Sequence, residues 1–170
     1  KEGAYAKSAP KLISKQLYNR ISATDIRRDW WDPSDKESPY VSKKFSFANV
    51  ASFLGDYIYM RVEEMYFIEA EAKAHENLGE GIRLLNEFMN NYRIVGGGYD
   101  CTNMSSSVEN FTNELMLQKR IEFWGEGIVM FDMKRLDMST RRGYVGTNSP
   151  ASYRLNTEGR APYWNFVISR

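Results

Sequence analysis

The chain has 170 residues, 42% hydrophobic and 26% charged, a composition that can bury one sizeable core and excludes general disorder. Its 23 Lys and Arg against 22 Asp and Glu leave a net charge of +1, without the clustered basic excess that nucleic-acid binding needs. Charges interrupt every apolar run before membrane-span length, and a single cysteine (Cys101) with a single histidine (His75) excludes an internal disulfide and a Cys–His metal cluster, so no metal or cofactor is expected.

Residues 1–56 read as an irregular, loop-rich segment with one short helix. Leu12, Ile13, Leu17 and Ile21 have helical spacing and place that helix at about residues 10–18. The charged and aromatic run Asp25-Ile26-Arg27-Arg28-Asp29-Trp30-Trp31 ends in a turn at Asp32-Pro33, and residues 34–56 read as a loop with short strands. A strong helix follows at 57–77. Its apolar residues lie on more than one face (Val62, Met65 and Ala72; Phe67, Ala70 and Ala74), which predicts packing on more than one side. Gly79 is expected to end it as a left-handed cap, and a second helix at 80–91 carries Ile82, Leu84, Leu85, Phe88 and Met89. Together these form an antiparallel helical hairpin over 57–93.

The glycines at 96–98 close the hairpin, and a second helical pair occupies 94–139. Ser106 and Glu109 have capping-box spacing at its start. The third helix then runs to about residue 124, with Val108, Phe111 and Leu115 on one stripe and Leu117, Ile121 and Trp124 on another. Gly125-Glu126-Gly127 interrupts the pattern before a fourth helix at 128–136. Residues 140–170 form an aromatic loop-rich tail bearing Tyr144, Tyr153, Tyr163, Trp164 and Phe166, long enough to be functional or packed on other structure. The fold class is mainly α: a helical hairpin plus further helices with long ordered loops.

Glu122 and Glu126 are four residues apart and share a helix face, as a carboxylate pair for glycoside hydrolysis would. They sit in a run built for packing, however, among Arg120, Asp132 and Arg135. Buried charges persist when paired, so Arg61, Glu64, Arg120, Glu122, Glu126, Asp132 and Arg135 are expected to form a structural ion-pair network, with no catalytic residue among them. Trp30, Trp31 and Tyr40 are the candidate ligand-binding residues. Adjacent tryptophans in a loop do not easily enter one core together, and the outer one offers a flat face for a sugar.

Two segments resemble a known family. Tyr59-Met60-Arg61-Val62-Glu63-Glu64-Met65-Tyr66-Phe67-Ile68-Glu69-Ala70-Glu71-Ala72 is similar to the first helix of the last tetratricopeptide-like (TPR-like) hairpin of SusD/RagB proteins, with Arg61, Glu64, Ala70, Glu71 and Ala72 on the pattern. Gln118-Lys119-Arg120-Ile121-Glu122-Phe123-Trp124-Gly125-Glu126-Gly127, continued by Phe131-Asp132-Met133-Lys134-Arg135, resembles the family's helix–break–helix segment. Arg120, Glu122, Glu126, Gly127, Asp132 and Arg135 match there, while Ile128 to Met130 replace its usual Arg-Trp pair. Asp25-Ile26-Arg27-Arg28 resembles the "D-x-R" before the last hairpin, and Trp164-Asn165-Phe166-Val167-Ile168 stands where the family has a hydrophobic stretch near its terminus.

The resemblance covers about residues 25–170 and implies the C-terminal portion of a SusD-like α-α superhelix, one domain incomplete at its N-terminus. It implies a non-catalytic, outer-membrane, cell-surface nutrient-binding lipoprotein of Bacteroidetes polysaccharide utilisation. Such a protein binds a glycan or oligosaccharide and delivers it to a SusC-like TonB-dependent transporter. It is held to the membrane by an N-terminal lipid anchor not present in this chain, for which the internal Cys101 does not qualify. The family's ligand surface lies largely upstream of the region present. Two other readings stand beside it: a TPR-like protein-interaction adaptor, which would be nearly all helix, and a glycoside hydrolase using Glu122 and Glu126.

Overall fold

The computed structural model describes residues 10–45 and 58–164. Those residues contain five α-helices: α1 (Lys15–Tyr18), α2 (Val62–Glu76), α3 (Leu78–Tyr92), α4 (Val108–Glu122) and α5 (Val129–Arg135). A short antiparallel ribbon joins β1 (Trp31–Asp32) to β2 (Val41–Ser42), with Trp31 opposite Ser42. Single 3-10 turns lie at Ile26–Trp30, Thr102–Met104, Ala151–Tyr153 and Pro162–Trp164. The protein is mainly helical. Residues 46–57, including the expected start of the first long helix, and the end of the aromatic tail, 165–170, lie outside the described residues.

Helices α2 and α3 form the hairpin and share one capping residue. Asn77 is extended (φ −150°), ends α2, and accepts the Glu80 N–H at 3.4 Å to start α3. The break therefore falls at Asn77, and Gly79 lies inside α3 instead of serving as a left-handed cap. Close approach of the helices depends on Gly81. A Cβ built there would stand 2.4 Å from the Ala74 Cβ and 2.8 Å from the Ala70 carbonyl oxygen. Small residues on both helices thus allow near backbone contact.

Only one face of α2 is packed among the described residues: Phe67, Ala70, Glu71 and Ala74 are buried. Val62, Met65 and Ile68 are exposed, which corrects the expectation of packing on more than one side.

Helix α4 is the centre of the molecule, with 10 of its 15 residues buried. Its cap is Ser107, whose hydroxyl accepts the Asn110 N–H at 3.1 Å; Ser106, one residue earlier, instead takes the Asn110 side-chain amide at 2.8 Å. One side of α4 brings Phe111 and Leu115 to a core built with Phe67, Leu85, Phe88 and Met89 of the hairpin. Its other side brings Leu117 and Ile121 to a second core with Ile13, Leu17, Ile21 and Trp31. The two stripes read in the sequence correspond to these two cores.

The amino-terminal helix is shorter than its spacing predicts, because Leu12 and Ile13 are extended. Leu12 bridges Val41, and the Ile13 N–H donates to the Tyr40 carbonyl at 3.1 Å. The tail supplies the cap that α1 lacks locally: the Lys15 N–H donates to Asn148 Oδ1 and the Gln16 N–H to Tyr144 Oη, both at 3.0 Å. Residues 140–164 are thus ordered loop docked on the amino-terminal segment, without an α-helix of their own.

Candidate functional site

Four cations (Arg27, Arg61, Arg93, Lys44) and four carboxylates (Asp25, Glu63, Glu122, Glu126) meet where α4 ends. Asp25 caps the 3-10 turn by accepting the Arg27 N–H at 2.9 Å and holds the Arg27 guanidinium by bonds of 3.0 and 2.7 Å. That turn aims Arg27, fully buried, at α4, where it donates to Gln118 Oε1 at 2.6 Å and to Glu122 Oε2 at 3.3 Å. Arg93, just past α3, clasps both Glu122 oxygens at 2.8 and 2.9 Å and reaches Glu63 at 3.0 Å. Arg61, at the start of α2, donates to Glu122 Oε1 and, at 2.7 Å, to Glu126 Oε1. Lys44 pairs with Glu126 and donates to the Glu122 carbonyl at 2.6 Å.

Glu122 has 0% of its surface exposed. Burial alone would raise its carboxyl; the hydrogen bonds and charge of Arg93, then the charges of Arg27 and Arg61, hold it below its ordinary value of 4.5. Desolvation pulls Lys44 down from its usual value against the pull of Glu126. A general acid needs a raised pKa and access to a leaving group. Glu122 has neither: it is buried and joined by ion pairs to Arg27 of the 3-10 turn, Arg61 at the start of α2 and Arg93 just past α3.

A second cluster ties α4, α5 and α2. Lys119, almost fully buried, pairs with Asp132; Arg135 donates to Asp132 at 2.8 Å and to Glu71 Oε2 at 2.5 Å. The structure thus groups Arg61, Glu122 and Glu126 in one network and Asp132 and Arg135 in another. Arg120 and Glu64 make no ion pair among the described residues. Arg120 is two residues from Glu122, about 200° around the helix, so it faces away from the network. Glu63, one position earlier, occupies the place expected of Glu64. The sequence reading missed Asp25, Arg27, Arg93, Lys44, Lys119 and Glu63 as partners. For Arg27 a signal existed in the "D-x-R" at Asp25–Arg27; for Arg93 and Lys44 there was none, since only the tertiary fold brings them in.

The aromatic candidates divide. Trp31 is 2% exposed, with its ring 5.7 Å from Trp124 edge to face and 5.9 Å from Trp30, so it presents no face to a ligand. Its indole N–H has no partner among the described residues. The alternation of β1 buries Trp31, and Trp30, immediately before the strand, is half-buried with the Lys44 ammonium 4.8 Å from its ring centre. Tyr40 is also half-buried, edge-on to Tyr18 at 5.3 Å, and its φ of 72° lies in the left-handed region.

The SusD family profile matches residues 17–168. No curated protein matches the sequence. Among solved structures, a SusD-like carbohydrate binding protein from Bacteroides vulgatus superposes with a TM-score of 0.69 at 23% identity, over 97% of this chain and 42% of that one. The chain therefore spans less than half the length of that relative and matches its C-terminal portion. These 170 residues belong to the SusD family, a family of non-catalytic binding proteins.

Proposed function

We propose that the protein binds glycans at the bacterial cell surface without cleaving them and delivers them to a SusC-like TonB-dependent transporter, held at the outer membrane by a lipid anchor. What supports this reading is the SusD family match over residues 17–168, and the state of the Glu122–Glu126 pair supports its non-catalytic part. Both carboxylates are engaged by cations, which leaves neither free to act as acid or nucleophile, and on this reading recognition belongs to the adjoining aromatic loop. In that loop Trp31 is the anchor in the core, and ligand contact is assigned to Trp30 and Tyr40, which pack against that core but are only partly buried. The backbone strain at Tyr40 supports a role beyond packing, since a tyrosine held at positive φ costs stability that a turn glycine would not. Trp30, half-buried against the core, would meet a sugar through the part of its ring that solvent reaches.

Calorimetric titration of a polysaccharide panel into the intact protein tests this reading. Trp30→Ala and Tyr40→Ala are each expected to weaken binding about tenfold, equivalent to roughly 1.4 kcal/mol, with the fold retained. Trp31→Ala is expected to destabilise the fold. Unchanged affinity in both Trp30→Ala and Tyr40→Ala removes the platform, and reducing ends released on incubation with glycan contradict non-catalytic binding.

A further inference from the structure

Arg120 lies in the family-like helix segment yet finds no carboxylate. It shares a cleft of about 300 Å³ with Arg20, which follows α1, and with Asn110 and Asn113 of α4. Neither guanidinium has an ion-pair partner among the described residues. The carboxylate that lines the cleft, Glu114, is buried and already accepts from the Tyr99 hydroxyl at 2.7 Å and the Gln118 amide at 2.8 Å. Although Arg120 reaches solvent, enough protein surrounds it that desolvation, then the charge of Arg20, pushes it below its usual value. Two guanidiniums against one carboxylate, itself already taken up by neutral hydrogen-bond donors, leave the recess with an excess positive charge that favours an anion there. The remaining lining is apolar and soft: Met104 is 48% exposed, and Met138 is partly buried.

We infer that this cleft binds an acidic sugar residue, its carboxylate or sulfate held by Arg20 and Arg120 and its ring face laid on Met104 and Met138. The inference rests on the glycan-binding reading and gives it a substrate class. The apolar lining separates an acidic sugar from a free inorganic anion, which would use the guanidiniums alone. The two asparagine amides add donors and acceptors suited to hydroxyls.

The test titrates the intact protein with an oligogalacturonate, a sulfated oligosaccharide, a neutral oligosaccharide of equal length, and inorganic sulfate. At least one acidic oligosaccharide should bind more tightly than the neutral one, with affinity falling as NaCl is raised. Arg20→Gln and Arg120→Gln should each weaken that binding about tenfold or more, at unchanged Tm. Arg20 is exposed beyond the end of α1, so its variant reports on binding whatever Arg120→Gln does to folding. Equal affinity for the acidic ligand in wild type and Arg20→Gln overturns the inference, as does inorganic sulfate binding as tightly as the acidic sugar. Neutral glycan binding without an acidic preference sinks this inference alone, whereas no binding of any glycan sinks the glycan-binding reading beneath it.

Discussion

Glu122 shows what a buried carboxylate needs in order to stay ionised. Desolvation of such a group costs several kcal/mol, and here three guanidiniums converge on its two oxygens. Because its folded pKa is depressed, the stability it contributes is present above its unfolded value, near 4.5, and is lost as pH falls through the lower folded value. Urea midpoints should therefore be nearly flat from pH 7 to about 5 and drop steeply below about 4. A midpoint that rises on acidification would reverse the sign of the coupling. Cys101 sits at the other extreme: burial pushes its thiol up to about 11, so iodoacetamide at pH 8 should leave it unmodified in the native protein and label it promptly in urea. Rapid native labelling would show that its side of the hairpin core opens readily.

At the scale of elements, the hairpin depends on one missing methyl. Gly→Ala inside a helix ordinarily gains about 1 kcal/mol. At Gly81 the new Cβ would overlap Ala74 and Ala70, so Gly81→Ala should instead cost roughly 1–3 kcal/mol by forcing α2 and α3 apart, read from chemical denaturation. A stabilised variant would mean that the helices have room to separate. The hairpin itself was legible because its apolar spacing continues over two long runs. Its turn was not, since Gly79 and Gly81 resemble breakers in sequence while Asn77 does the capping. The two-sided character of α4 was legible from its stripes. The short α1 was misjudged because extended pairing of Leu12 and Ile13 with residues 40–41 overrides helical spacing, and its cap comes from more than 120 residues away. The site was half legible. Charged positions on the helices could be read as fasteners, but the arginines that neutralise them enter from a turn and a loop, and periodicity says nothing about where those end.

Across the whole molecule, two apolar cores are joined through one helix and locked at its end by a charge-balanced cluster, with the tail docked on the amino-terminal segment. The outer face of α2 leaves Val62, Met65 and Ile68 exposed beside Ile58, Tyr59 and Met60, a surface that isolated soluble proteins seldom present. The 170-residue chain studied alone should therefore self-associate at micromolar concentration or enhance the fluorescence of an apolar dye. A monomeric, dye-silent chain in size-exclusion chromatography would show that this face is covered within the chain itself.

The most direct test of the fastener role is the melting temperature of Glu122→Gln against wild type at pH 7 and at pH 3.5. Loss of the charge leaves Arg27, Arg61 and Arg93 around a neutral amide, a cost of roughly 3–5 kcal/mol, so Tm should fall by on the order of 10 °C at pH 7. The gap should narrow at pH 3.5, where wild type begins to lose the same charge. An unchanged Tm at pH 7 would contradict the account, because a carboxylate that can be removed at no cost is not holding the helices together.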